Sequence, residues 1–427
     1  MVISAIATAE GRGGVAIIRM SGEGSIAIAR KMFSRKGEIL PNMMYPGEID
    51  GGTFKDYGLL VCFFAPKSFT GEEIAEFHCH GGREIAHGIL RRTIELGARL
   101  AERGEFTKRA FLNGKLSLSA AEGMADMINA ESEAEIRAGY LLYGEKLTAE
   151  GKRLQAMLKE CLASVDADID YPEEDLNTDS RLQICQTMSE VESSISQLLA
   201  QYGAGRKIKN GINVAICGRP NAGKSSLFNA LLGYERAIVS DIEGTTRDTV
   251  EGSISIHGVL FRLVDTAGLR LGADVLEREG IRRAEQAIQA ADVIVYLKEE
   301  GDAPEFPRTT PVITVGAKSD LFRKDGCDIL FSAKTGEGLA DLRELMYNRG
   351  YGRENGEAYL VEERHYHAVQ RAHTAVKDAI SAIKDGLPPE LYAEDISLAF
   401  AALGELTGET AAESVINEIF EKFCVGK

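Results

Sequence analysis

At 427 residues the chain is too long for one ordinary domain, and a composition 44% hydrophobic and 27% charged is that of a soluble globular protein of two to four domains. A net charge of −16 excludes a broad basic surface for gripping nucleic acid, so RNA contact needs a local patch or a basic partner. No apolar run reaches the roughly 18 residues of a membrane span, and Met1 to Thr8 lacks the basic start of a signal peptide.

Residues 1–115 mix strand and helix signals and predict a small α+β domain. Gly11-Arg12-Gly13-Gly14 is a tight turn before a buried strand, Val15 to Met20. A second strand spans Leu59–Phe64, and Ser68-Phe69-Thr70-Gly71 turns the chain. A third strand, Ala75–His80, leads through Gly81-Gly82 into a helix ending near Leu96. His78 and His80 alternate on that strand without a third ligand, so ordinary core or surface histidines are expected there.

Strand signals then vanish from Leu116 to about Gly203. Leu182, Cys185, Met188, Val191, Ile195 and Leu198 recur at spacings of three and four and predict one face of a helix. The acidic run Asp166–Asp175, interrupted by Pro172, reads as a solvated helix end. Gly203-Ala204-Gly205 reads as a short hinge. Residues 211–350 alternate strands and helices as a doubly wound sheet does, with strands at 213–217, 261–265, 292–297 and 311–315. Helices return at Glu363–Lys384, Leu391–Leu406 and Thr410–Phe423. An α/β domain at 211–350, inserted into a helical domain of 116–210 and 351–427, is the economical layout. The seven cysteines are scattered without metal-ligand spacing and fit a reduced, cytoplasmic setting.

The chemistry centres on Gly218-Arg219-Pro220-Asn221-Ala222-Gly223-Lys224-Ser225-Ser226, a phosphate-loop pattern set between a strand and a helix. Its glycines let backbone N–H groups converge on phosphate oxygens. Lys224 reaches the outer phosphates and Ser225 holds Mg²⁺. Downstream, Thr246 in Gly244-Thr245-Thr246-Arg247-Asp248 supplies a second Mg²⁺ hydroxyl. Asp265-Thr266-Ala267-Gly268 ends a strand where a carboxylate supports the metal and a glycine follows the γ-phosphate. Ser332-Ala333-Lys334 sits against a purine. Together, in this order, they resemble the translation-factor-related P-loop GTPases.

One motif departs from that class. Its guanine reader is Asn-Lys-x-Asp, and here it is Ala317-Lys318-Ser319-Asp320. Asp320 keeps the discrimination against adenine and Lys318 its stacking stem. The missing Asn amide removes about 1–2 kcal/mol of binding. Leu269 stands where Ras-like enzymes carry glutamine, so Glu277 or Glu279 is left to position water; the residues alone do not choose between them.

The whole chain resembles the MnmE (TrmE) family of tRNA modification GTPases. The resemblance rests on Gly11–Val15 with Arg19, Ser68–Glu72, His80–Gly82, Gly104–Phe106 with Arg109–Asn113, the GTPase set, and Phe423-Cys424-Val425-Gly426-Lys427. It implies a dimerising N-terminal domain related in fold to folate-dependent one-carbon enzymes, binding 5-formyl-tetrahydrofolate or a relative through Arg19, Glu76, Lys115 and Lys427. It implies Cys424 beside that site. K⁺ would be held by Asn221, Ser240, Ile242 and Thr245, and Glu277 would be the catalytic carboxylate. Asp241 and Glu243 join the GTP contacts. The implied function is a K⁺-dependent, GTP-hydrolysing homodimer that, with an MnmG-like FAD protein in a heterotetramer, modifies C5 of the wobble uridine of tRNA. A stand-alone ribosome-assembly GTPase is the alternative, and the N-terminal segments and terminal Cys-Val-Gly-Lys count against it.

Overall fold

The computed structural model describes the chain apart from residues 10, 171–176, 234–250, 266–281, 283–284, 300–305, 308, 323, 353–357, 409–411 and 427, and the side chains of 170, 177–180 and 251. It divides into two compact units. Met1–Ala125, Leu142–Thr187 and Asp378–Lys427 form one, and Asp126–Leu141 with Met188–Lys377 the other.

The first unit opens with β1 (Ile3–Ile6), β2 (Val15–Ser21), α1 (Ser25–Met32), β3 (Met44–Asp50), β4 (Lys55–Phe63), β5 (Ile74–His80), α2 (Arg83–Glu95), β6 (Arg99–Leu100) and α3 (Glu105–Leu112). The strands make one sheet in the order β3-β4-β5-β2-β1-β6. Neighbours are antiparallel except β1 and β6, which run parallel. Side chains alternate along a strand, so Ile18, Met20 and Phe77 face α1 and α2 and pack with Met32 and Ile89. Full burial of each stabilises by roughly 1.5–3 kcal/mol. Arg19 and Glu76 fall on the opposite face. There Ile3 and Ala5 pack with Ala101 and Phe106, the latter from α3.

Helices follow: α4 (Leu118–Asn129), α5 (Glu133–Tyr143), α6 (Lys146–Asp170) and α7 (Asn177–Asn210). The acidic run is thus helical as far as Asp170, and its remainder lies outside the described residues. On α7 the buried stripe is Ile184, Met188, Val191, Ile195 and Leu198, whereas Leu182 is 66% exposed. Spacings of four and three from Met188 backwards select Ile184, which corrects the expectation for Leu182.

The predicted hinge at Gly203–Gly205 is also corrected, because α7 continues through it. A Cβ on Gly205 would overlap the carbonyl of Leu360 and lie 3.2 Å from Val361 Cγ1. Gly205 therefore admits a neighbouring backbone to the helix instead of breaking it.

The second unit's sheet comprises β7 (Ile212–Gly218), β8 (Glu251–Ile256), β9 (Val259–Asp265), β10 (Val293–Leu297), β11 (Val312–Ala317) and β12 (Ile329–Phe331), with α8 (Lys224–Gly233) between β7 and β8 and α9 (Leu339–Gly350) after β12. Its order is β12-β11-β10-β7-β9-β8, parallel except for the β8–β9 hairpin. That hairpin turns through His257 and Gly258, both at positive φ (52° and 78°), as a two-residue connection requires. Strands β10 and, from Val214 to Cys217, β7 read as continuous apolar runs because both their faces are covered. The chain closes with α10 (Glu363–Lys384), α11 (Pro389–Thr407) and α12 (Glu413–Glu421). No helix among the described residues is long and apolar enough to cross a membrane.

Candidate functional site

Strand β7 lies between β9 and β10, the point at which the parallel sheet reverses its winding and opens a crevice at the strands' carboxyl ends. The phosphate loop leaves β7 there. Three residues give it its shape: Gly218 at φ 148°, Asn221 at 63° and Gly223 at 103°. A Cβ on Gly218 would meet the Leu297 carbonyl at 2.9 Å, so glycine is needed where β7 passes β10. Lys224, only 6% exposed, folds its ammonium back onto the carbonyls of Gly218 (2.8 Å) and Arg219 (2.7 Å). Ser225 Oγ donates to Asp265 Oδ2 at 3.1 Å. Asp265 is buried at the end of β9, opposite Ile216 of β7. A hydroxyl and a carboxylate in contact beside a phosphate loop are an oxygen donor pair suited to Mg²⁺.

The loops after β11 and β12 also converge. Lys318, at φ 64°, donates to the Asn221 carbonyl at 3.0 Å and ties the loop after β11 to the phosphate loop. Ser332 Oγ donates to Asp320 Oδ1 at 2.8 Å and accepts the N–H groups of Lys334 and Thr335, each at 3.3 Å. Ala317 is buried, 3.6 Å from the place a Cβ on Gly223 would take. Ala222 is buried, while Ser226, in the first turn of α8, and Ala333, after β12, are exposed. Ser240, Asp241, Ile242, Glu243, Gly244, Thr245, Thr246, Thr266, Ala267, Gly268 and Glu277 lie outside the described residues.

The first unit gathers a second cluster. The β2–β5 register sets Arg19 opposite Glu76, and Arg19 Nε donates to Glu76 Oε1 at 2.6 Å. His78 Nε2 lies 3.3 Å from the other Glu76 oxygen, and the Arg19 guanidinium carbon sits 5.8 Å from the centre of the Phe106 ring. His80 pairs with Asp56 instead, and no cluster of metal-ligating side chains occurs among the described residues. The C-terminal segment reaches the same place. Arg19 Nη1 donates to the Gly426 carbonyl at 3.4 Å, Val425 pairs with Arg103, and the Gly104 N–H donates to the Cys424 carbonyl at 3.5 Å. Lys427 lies outside the described residues. Cys424 is exposed, whereas burial pushes the thiols of Cys62, Cys79 and Cys161 up to about 11. Each Glu76 oxygen has room to accept a further hydrogen bond, so the cluster offers acceptors of the kind that the N–H donors of a pterin ring would need.

Lys115 is exposed and has no hydrogen bond to Arg19 or Glu76 among the described residues. It belongs to the cluster through a network the sequence did not reveal. Arg109 Nη1 donates to both oxygens of Glu72 (3.0 and 3.2 Å), and Arg109 Nη2 to Glu105 Oε1 at 3.0 Å. Glu105, 8% exposed, also takes Arg99 and the Glu102 N–H. The Glu105–Arg109 spacing of four was its one legible signal. Elsewhere in this unit Gly81 packs on the Gly13 carbonyl too closely for a Cβ, closing one wall of a cavity of about 560 Å³.

A central phosphate-loop strand, a buried lysine and a paired serine and aspartate define a P-loop nucleotide-binding protein of the α/β class. Residues 2–115 match the family described as "GTP-binding protein TrmE N-terminus", and residues 118–424 match "MnmE helical domain". The chain is 37% identical over 444 residues to the tRNA modification GTPase MnmE of Aquifex aeolicus, covering 100% of this chain and 99% of that one. It is 39% identical over 445 residues to the protein of that name from Laribacter hongkongensis, covering 100% and 98%. A solved Era variant from Aquifex aeolicus, bound to GDP.AlF4-, is 28% identical over 38% of this chain and 65% of its own, with a TM-score of 0.26. The chain belongs to the MnmE family.

Burial raises the Glu105 carboxyl, but the Arg99 bond, the Glu102 N–H and Arg109 together hold it below its ordinary 4.5. A lowered carboxyl stabilises the fold above its unfolded value, and that contribution is lost as pH falls through the folded one. Glu105→Gln should therefore melt a few degrees lower at pH 7, for a loss of about 1–2 kcal/mol. The gap should close as the pH falls through the native carboxyl's own value, which lies below 4.5, because the native carboxyl is then protonated too. Thermal unfolding of both forms across pH reads this directly, and a gap independent of pH would show that the charge contributes nothing.

Proposed function

We propose that this chain is a K⁺-dependent GTPase that works with an FAD-dependent, MnmG-like partner to modify C5 of the wobble uridine of tRNA. The observation that carries the reading is the contact of Ser225 with Asp265 beside Lys224, in a chain matched from end to end by tRNA modification GTPases. On GTP, Lys224 exchanges the carbonyls of Gly218 and Arg219 for β- and γ-phosphate oxygens, and Ser225 with Thr246 holds Mg²⁺, which offsets phosphate charge. Asp320 accepts from guanine and Lys318 lies along the base. Without an arginine finger or a Ras-type glutamine, Asn221, Ser240, Ile242 and Thr245 hold K⁺, and Glu277 orients the water. Hydrolysis then changes the loops joined to β8 and β9, which act as a switch rather than as reagents toward the base.

The N-terminal cluster supports the folate part of the reading. Glu76 accepts from the pterin, Lys115 and Lys427 take the glutamate tail, and a tetrahydrofolate would supply the one-carbon unit near Cys424. Dimerisation is through the N-terminal domain, the setting is cytoplasmic, and the partner contributes the tRNA surface that a chain of net charge −16 lacks.

Mass spectrometry of wobble uridines from cells lacking the chain tests the proposal. Loss of the C5 substituent is expected, and normal modification would remove the assignment. Turnover of GTP should also fall roughly tenfold or more when Na⁺ replaces K⁺; equal rates in the two salts would remove the K⁺ assignment.

A further inference from the structure

We infer that Arg109 and Glu72 are positioning residues that set the tail specificity of the N-terminal site, by fixing where Lys115 stands relative to Arg19 and Glu76. The inference rests on the folate reading above and gives a role to two motif segments, 68–72 and 104–113, that the reading leaves without one.

The connection runs through hydrogen bonds whose directions are determined. Arg19 and Ser21 share one face of β2, two residues apart. Glu72 is an acceptor when ionised, so Ser21 Oγ donates to Glu72 Oε2 at 2.7 Å. Ser21 has then spent its proton, and the 2.8 Å contact with Thr70 Oγ1 requires Thr70 to donate to Ser21. Thr70 Oγ1 in turn accepts the Glu72 N–H at 3.2 Å. Both hydroxyls are fully buried. The loop is thus locked to the strand that carries Arg19.

Its other side is locked to the segment that carries Lys115. Glu72 receives Arg109 through both oxygens, and the Thr70 carbonyl accepts Asn113 Nδ2 at 2.7 Å. Gly71, at φ 77°, lies beside Lys115, so that a Cβ there would stand at contact distance, 3.4 Å, from Lys115 Cγ. The Lys115 N–H closes the end of α3 on the Ala110 carbonyl at 2.8 Å. Arg19 to Ser21, to Thr70 and Glu72, to Arg109 and Asn113, to Lys115 is one continuous path.

The charges Glu72, Arg109, Glu105 and Arg99 alternate in sign and sum to zero. The network therefore adds little net field to the site, and what it contributes is distance. A ligand held at Glu76 reaches Lys115 only if its anionic end lies at that distance. Arg109 bridges two carboxylates with separate nitrogens of one planar group, which a lysine ammonium does not reproduce.

The test is calorimetry on the full chain, as wild type, Arg109→Lys and Glu72→Gln, with 5-formyl-tetrahydrofolate and with 5-formyl-6-methyltetrahydropterin, which lacks the tail. Each substitution should weaken the folate roughly tenfold, the scale of one charged hydrogen bond. The tail-less pterin should stay within about twofold. Melting temperatures of the same samples accompany the titrations. Equal loss for both ligands, with a lower melting temperature, would reduce the network to support of the fold and overturn the inference; unchanged folate binding would overturn it as well. A wild-type chain that binds neither ligand would instead remove the folate reading, and this inference with it.

Discussion

The backbone of residues 218–224 is the constraint on which the nucleotide-binding unit depends. Three of its residues hold positive φ, two of them glycines, and the third, Asn221, is of a type that tolerates the left-handed region. Those conformations turn the chain from β7 into α8. They also leave the carbonyls of Gly218 and Arg219 as the resting partners of Lys224. The lysine is thus buried and satisfied, without the cost of a bare charge in a closed site. Asp265 meets Ser225 because β9 is β7's parallel neighbour. Lys224, Ser225 and Asp265 are in this way positioned from the ends of adjacent strands.

The N-terminal unit solves a different problem. It brings segments far apart in sequence, near Arg19, Glu72, Arg109 and Gly426, onto one face of a sheet whose other face is the main core. Ionised groups there alternate in sign, and buried hydroxyls satisfy what the ions leave over. Removing one member strands its neighbour, which is why such networks fix geometry more strongly than they stabilise. The C-terminal segment closes the arrangement through backbone contacts at Cys424, Val425 and Gly426, so both chain ends contribute to one place.

How much of this was legible followed from range. Strands β7, β9, β10 and β11 were readable because burial writes apolar runs, and the phosphate loop because its glycines serve local backbone needs; β8, the antiparallel edge strand with polar residues between its isoleucines, was missed. Gly205 was misread because its reason is a neighbouring backbone at Leu360, more than a hundred residues away in sequence. Leu182 was misread because its period matches the stripe only until Ile184 is counted. The pairing of Glu72 with Arg109 carried no signal, since an ion pair between distant segments leaves no spacing; only the i,i+4 step from Glu105 to Arg109 was written locally. Ala317, by contrast, was visible at once as a departure, and the structure places it against the phosphate loop at Gly223.

The central claim is that a nucleotide-dependent switch governs a modification of tRNA. Its most direct test restores cells lacking the chain with either the wild type or Lys224→Ala, and quantifies wobble-uridine modification by mass spectrometry. The account predicts full modification with the wild type and almost none with the variant, at equal protein level. Full modification by the variant would contradict it.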